Sequence, residues 1–162
     1  LTYGINLNLE YKGFSLNMLF TGTYGNDMLN AIRPYTSTGE GYYNAPAGLL
    51  EKAWSGEGST QKQPIIKQVD QNQNFRYSDY YVEDGSYFRL KNIQLGYSLP
   101  SKLLAPVSVD GIRIYVSVEN AFTITEFSGM DPDIGGSATL RGIDWGHYPL
   151  PRVFTAGLKL TL

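Results

Sequence analysis

The residues with the most obvious chemical capacity are aromatics lying outside any strand pattern: Tyr35, Tyr42, Tyr43, Trp54, Trp145 and Tyr148. An aromatic face can cover the apolar C–H face of a pyranose ring, so such a set could stack on sugars. The competing role is self-packing, because long loops need a small core of their own. From the residues alone, self-packing carries more weight. Asp131-Pro132-Asp133, taken with Asp110, Glu126 and Asp144, offers the carboxylate oxygens that a hard cation such as calcium requires. The spacing does not match an EF-hand loop, and Asp before Pro is a turn former. A turn is therefore expected there, and no metal site. His147 is the only histidine. A hydrolytic triad needs a histidine between a nucleophile and an orienting acid. No Gly-x-Ser-x-Gly elbow accompanies it, and no Gly-x-x-x-x-Gly-Lys-Ser/Thr phosphate loop is present. No catalytic residue and no cofactor are assigned, and the chain is not expected to be an enzyme.

The elements that must position these loops are five stretches in which apolar and polar residues alternate. They run over Leu1–Tyr11, Phe14–Phe20, Ile93–Leu99, Ile112–Ile124 and Phe154–Leu162. Period two means a strand with one apolar and one polar face. Aromatics sit towards the ends of these rows and aliphatics in the middle. Strands that cross a bilayer have this arrangement, because amphipathic rings favour the headgroup level. The polar row comprises Asn6, Asn8, Glu10, Ser15, Asn17, Gln94, Ser98, Arg113, Ser117, Glu119 and Lys159, and is expected to face a lumen. Connections alternate in length. Lys12-Gly13 is a tight turn, residues 25–85 form a long connection, 100–110 a short one and 126–151 a long one. Short periplasmic turns alternating with long extracellular loops characterise outer-membrane barrels. The long connections are expected to share one side of the sheet, with no separate domain. A short helix is expected around Ala47–Trp54, and order is expected to resume near Phe75–Val82. Between Leu90 and Ile93 the alternation slips by one, which predicts a β-bulge near Lys91-Asn92 or a strand already above the membrane. Asn120 interrupts the apolar row of the fourth stretch, which favours a bend or a membrane border over a ligand contact.

Composition agrees with a chain of strands and loops. Of 162 residues, 42% are hydrophobic and 17% charged, with thirteen tyrosines, eighteen glycines and eight prolines. A net charge of −2 carries no basic stripe for nucleic acid. The absence of cysteine removes any disulfide framework or thiolate metal site. No apolar run is long enough for a membrane-spanning helix. The chain starts inside a strand pattern, which suggests a fragment; five strands cannot close around a lumen, since membrane barrels begin at eight.

Ser86-Tyr87-Phe88-Arg89-Leu90-Lys91-Asn92-Ile93-Gln94-Leu95-Gly96-Tyr97-Ser98-Leu99-Pro100 resembles a hallmark segment of SusC/RagA-type TonB-linked outer-membrane transporters. Val118–Thr123 followed by Phe127–Asp133, and Tyr148-Pro149 with Arg152 and the last strand, resemble the stretches that follow it in that family. The likeness covers most of residues 75–162. The family commonly ends in an aromatic residue, whereas this chain ends in Leu162. The resemblance implies that residues 1–162 are the C-terminal portion of a roughly 22-stranded plugged transmembrane β-barrel. The fold class expected is therefore all-β, an antiparallel meander of about five long strands with long extracellular loops. The resemblance further implies TonB-energised import of oligosaccharides or peptides across the outer membrane. The partners implied are a SusD-like surface lipoprotein, outer-membrane lipid and the TonB complex, reached through an upstream plug region. It also raises the sugar-stacking role for Tyr42, Tyr43, Trp54, Trp145 and Tyr148 as a group, without singling out any one. The alternative is a soluble β-sandwich carbohydrate-binding module, in which a second sheet would bury the same apolar rows.

Overall fold

The computed structural model of the protein describes residues 1–39, 43–59, 62–104, 109–135 and 140–162. In chain order its elements are β1 (Thr2–Tyr11), β2 (Phe14–Thr23), β3 (Asp27–Asn30), α1 (Arg33–Ser37), α2 (Leu49–Lys52), a 3-10 turn (Asp79–Tyr81), β4 (Val82–Asp84), β5 (Tyr87–Ser98), α3 (Ser101–Leu104), β6 (Gly111–Thr125), β7 (Ile143–Asp144) and β8 (Val153–Thr161). They form two compact units. Leu1–Asn26, Gly85–Glu126 and Pro149–Leu162 make the first, and Asp27–Asp84 with Phe127–Tyr148 make the second.

The first unit is an open antiparallel meander in the order β1-β2-β5-β6-β8, as the alternating stretches predict. β1 and β8 are its two edges. The turn between β1 and β2 has positive φ at both central residues, Lys12 at 46° and Gly13 at 87°. That is the twist-matched hairpin geometry, which favours glycine. A Cβ on Gly13 would also lie 2.8 Å from the Ser98 carbonyl oxygen.

Cross-strand register assembles the apolar rows into one face. Leu9, Leu16, Leu95, Val116 and Ala156 are successive partners across all five strands, and so are Leu7, Met18, Ile93, Val118 and Phe154. Towards the turn end the next row is Tyr11, Phe14, Tyr97, Ile114 and Leu158, with the Phe14 and Tyr97 rings 4.5 Å apart. Towards the other end come Phe20, Leu90 and Phe122, where the Phe20 and Phe88 rings stack at 5.3 Å. The middle of this face is open to its surroundings, with Ile5 53%, Val116 51% and Leu158 60% exposed.

The slip in the sequence between Leu90 and Ile93 is a β-bulge. Against β2 the pairing steps from Leu19↔Asn92 to Phe20↔Leu90, which leaves Lys91 unpaired. Against β6 the pairing also breaks here, but between Asn92↔Glu119 and Leu90↔Phe122 the single Lys91 faces two residues, Asn120 and Ala121, so the extra residue there lies on β6. Lys91 reverses the phase of β5, so Phe88 and Leu90 stay on the face of Ile93 and Leu95. Beside the bulge Asn120 takes φ 51°, and its side-chain amide donates to the Pro151 carbonyl at 3.0 Å. The interruption at Asn120 is a bend with its backbone held, as favoured from the sequence.

Sheet ends fix where the connections leave. Thr23 and Thr125 both pair with Tyr87, so both long connections depart from one end of the sheet. Phe14↔Tyr97, Ser98↔Arg113 and Gly111↔Thr161 place the short connections and the last strand's end at the opposite one.

The second unit departs from the expectation of loops without a domain of their own. It holds a three-stranded sheet in the order β4-β3-β7, with β3 antiparallel to β4 and parallel to β7. Strands of two to four residues are too short to display period-two alternation, and their partners are far apart in sequence. Met28, Ala31, Pro34, Tyr81 and Phe127 are buried. The expected short helix is α2, at Leu49–Lys52, and the expected return of order is the 3-10 turn running into β4.

At Asn120, β-branched residues are disfavoured in the left-handed region by about 1–2 kcal/mol, whereas glycine is not. Asn120→Val should therefore destabilise the folded protein by about 2 kcal/mol once the amide's hydrogen bond is included, and Asn120→Gly by clearly less. Urea unfolding followed by tryptophan fluorescence compares the two.

Candidate functional site

In the second unit four aromatic side chains from separate stretches of chain meet. Tyr35 lies on α1, a single turn opened by Pro34, whose fixed φ suits the first turn of a helix. The Tyr43 ring packs edge-on against Tyr35 at 6.0 Å. The Tyr77 hydroxyl donates to the Tyr35 hydroxyl at 3.2 Å, and the Trp145 ring packs edge-on against Tyr77 at 6.1 Å. All four are exposed, Tyr43 the most at 63%. Desolvation, the Tyr35 hydrogen bond and the Tyr35 charge push the Tyr77 phenol up to about 12. Tyr77 is thus uncharged at neutral pH. Exposed, edge-linked rings with hydroxyl rims can stack on a flat apolar surface and hydrogen-bond its polar edge.

Backbone chemistry sets Trp145 in place. β7 pairs with β3 through Asn30↔Asp144, and the chain then turns sharply. The Asp144 carboxylate accepts the backbone N–H groups of Gly146 at 2.9 Å and His147 at 3.0 Å, and its Oδ1 lies 3.2 Å from the His147 ring. Gly146 has φ 82°. This is an Asx-turn, so His147 and Asp144 serve a turn. Asp131 does likewise, accepting the Asp133 N–H at 2.9 Å. Among the described residues no group of three or more histidine or acidic side chains could hold a metal ion.

A polar network centred on Glu83 supports α1 from below. Glu83 Oε1 accepts from Arg33 Nη1 at 2.8 Å and from Ser128 Oγ at 2.8 Å, while Oε2 accepts the Ser128 N–H at 2.7 Å. Asn30 Nδ2 donates to Glu83 at 3.3 Å. The Arg33 guanidinium lies 5.0 Å from the Tyr80 ring centre and 5.8 Å from that of Tyr81. Burial works to raise the Glu83 pKa. The Ser128 N–H, the Arg33 and Ser128 side chains and the Arg33 charge outweigh it, and the carboxyl is held below its ordinary value.

Of the residues singled out in the sequence, Tyr35, Tyr43 and Trp145 belong to the array. Trp54 belongs to neither of the array's ring pairs; its backbone N–H donates to the Gln63 carbonyl at 2.9 Å. Tyr148 is 89% exposed and belongs to neither ring pair of the array, Tyr35–Tyr43 or Tyr77–Trp145. Tyr42 lies outside the described residues. Tyr77 was not singled out. The cluster Tyr77, Tyr80 and Tyr81 within five residues was the available signal, since Tyr80 and Tyr81 anchor the segment through hydrogen bonds to Gln63 and Asn74.

No family model matches the chain. It is similar to TonB-dependent receptor P3 of Formosa agariphila, at 35% identity over 98% of this chain and 16% of that protein. It is also similar to TonB-dependent receptor SusC of Bacteroides thetaiotaomicron, at 28% identity over 97% of this chain and 14% of that protein. Among solved structures, the RagAB peptide transporter matches with a TM-score of 0.80 and 31% identity, covering 97% of this chain and 17% of that one. The RagAB peptide importer in its open-open state matches equally well, with a TM-score of 0.80 and 32% identity over 99% of this chain and 17% of that one. The fold is that of a stretch of a large TonB-dependent barrel, and the chain is a homologue of the SusC/RagA-type TonB-dependent receptors. It spans about a sixth of the length of those relatives.

Because the folded Glu83 pKa is depressed, its contribution to stability is complete above the unfolded carboxyl's pKa. It is lost as pH falls through the lower folded value. Glu83→Ala should weaken the second unit by about 1–3 kcal/mol at neutral pH, since it strands Arg33 and the Ser128 N–H. The difference from the unmutated protein should shrink below about pH 4. Rates of limited proteolysis within 27–84, measured across pH, report both effects.

Proposed function

We propose that residues 1–162 are the C-terminal portion of a TonB-dependent receptor barrel that imports an oligosaccharide or a peptide across the outer membrane. The observation that carries this reading is the continuous apolar face of the five-stranded sheet. It is exposed, it has rings at both ends, and it belongs to a chain homologous to TonB-dependent receptors. Tyr3 and Tyr11 lie eight residues apart on one face of β1, about 26 Å along the strand, the scale of the apolar band of an outer-membrane barrel. A soluble sandwich would need that face covered by a second sheet. The segment works as barrel wall and as a carrier of extracellular loops and has no catalytic step. TonB supplies energy through a region outside this chain, and a SusD-like surface lipoprotein is the partner at the long-loop end.

The array of Tyr35, Tyr43, Tyr77 and Trp145 is the ligand-contact surface of these loops. Trp54 and Tyr148 are secondary candidates, since each presents an exposed ring from the same unit. Loops held by a rigid scaffold are where binding residues concentrate, and uncharged rings suit either a sugar face or an apolar peptide side chain.

Three measurements test this reading in the full-length receptor. A cysteine at Ser59 should react with a membrane-impermeant reagent on intact cells, and one at Ser101 should not; reaction at Ser101 alone would reverse the orientation. Val116→Arg should cost about 2–4 kcal/mol of barrel stability while Ser117→Arg is tolerated; equal tolerance would remove the lipid-facing assignment. Tyr77→Ala or Trp145→Ala should each weaken ligand affinity by about 0.5–1.5 kcal/mol, or about two- to tenfold, with barrel assembly unchanged.

A further inference from the structure

The second unit holds an apolar cavity of about 380 Å³, lined by Ala45, Pro46, Leu49, Leu50 and Ile66 with Glu51 beside them. By comparison, a cavity of about 150 Å³ lined by aliphatic and aromatic side chains admits benzene. The chain that carries the rings also builds the cavity walls. α1 holds Tyr35 and leads to Gly39, and Tyr43 leads to Ala45 and Pro46. Gly39 takes φ 83°, and a Cβ there would overlap Ile66 Cγ2. Only glycine lets the chain close on Ile66 at that point. The Leu49 N–H donates to the Pro46 carbonyl at 3.3 Å, which ties the turn into α2. Leu49 is buried, whereas its neighbour Leu50 is 79% exposed. Glu51 is the single polar side chain of the lining, and among the described residues it forms no ion pair.

We infer that this cavity seats an aliphatic or aromatic side chain of a peptide, with Glu51 meeting a cationic group of the same peptide, and that it selects a peptide over an oligosaccharide. A sugar carries hydroxyls around its ring, and burying a hydroxyl without a partner is unfavourable. Five apolar side chains and one carboxylate leave most of those hydroxyls unpaired. A leucine or phenylalanine side chain has no polar group to strand there and gains the burial of its apolar surface. The unpaired carboxylate supplies charge complementarity to an ammonium or guanidinium beside that side chain. The recognised feature is therefore an apolar residue next to a positive charge. The inference rests on the import reading and narrows it to one substrate class.

The test is retention of a tryptic casein digest by the purified full-length receptor, with the retained peptides read by mass spectrometry and maltohexaose offered in a parallel titration. Retained peptides should be enriched about threefold in aliphatic or aromatic residues beside a positive charge. Ala45→Trp, which fills the cavity, and Leu50→Glu, which charges its wall, should each lower retention about tenfold, the weight of one buried aliphatic side chain. Glu51→Gln should lower it about two- to fivefold. Ala45 and Leu50 are both exposed, and limited proteolysis within 27–84 checks that each variant keeps its fold. Retention without apolar enrichment, retention unchanged by both cavity variants, or no retained peptide at all would overturn the inference. So would loss of a copurifying lipoprotein from Ala45→Trp with peptide retention intact, since the cavity would then serve a protein partner. Binding of maltohexaose in place of peptide would remove this inference and leave the import reading standing. Heat-modifiable gel mobility of the same sample reports whether the barrel is assembled, so failure of the barrel reading is seen separately.

Discussion

A one-residue register error in a β-sheet moves every later side chain to the wrong face. In this protein that constraint is absolute, because one face is a continuous apolar surface and the other is polar. The meander meets it with a bulge at Lys91, matched by an extra residue of β6 at Asn120-Ala121. The sequence of β5 changes phase between Leu90 and Ile93, and the bulge changes the backbone phase at the same place. Without the extra residue of β5, Phe88 and Leu90 would turn to the polar side, and Phe20 would lose the ring stacked on it at 5.3 Å. Both the apolar surface and the aromatic row at its upper end depend on this match.

The same end of the sheet hands the chain to a different kind of structure. The connections that leave from Thr23, Tyr87 and Thr125 would carry unsatisfied backbone groups if they were merely long loops. They instead condense around Met28, Ala31 and Tyr81 and pair their short strands with one another. Glu83 gathers Arg33, Asn30 and Ser128 into one hydrogen-bonded group, which fixes the start of α1 and hence Tyr35. Asp144 shapes the turn that presents Trp145. Exposed rings held by a polar scaffold lose little freedom on meeting a ligand, which favours tight contact.

The five long strands were legible because each is at least nine residues long, and alternation over that length has only one interpretation. The bulge was legible for the same reason, as a break in a long pattern. The bend at Asn120 was legible as an interruption, though its left-handed φ and its bond to Pro151 were not. The second unit was not legible. β3, β4 and β7 are too short to show a period, and the parallel pairing of β3 with β7 joins residues more than a hundred apart in sequence. Tyr35, Tyr43 and Trp145 could be picked out as exposed loop rings, but nothing local distinguished them from Trp54. Tyr77 escaped because its role depends on Tyr35, a residue 42 positions away.

The central claim is that one face of the meander meets lipid and the other does not. Site-directed spin labelling along β6 of the full-length receptor in bilayers tests it most directly, with collision rates measured against oxygen and against a water-soluble nickel complex. Labels at Ile114, Val116 and Val118 should collide preferentially with oxygen, and labels at Arg113, Tyr115 and Ser117 should not, giving a period of two. Uniform accessibility along the strand, or alternation of the opposite phase, would contradict it.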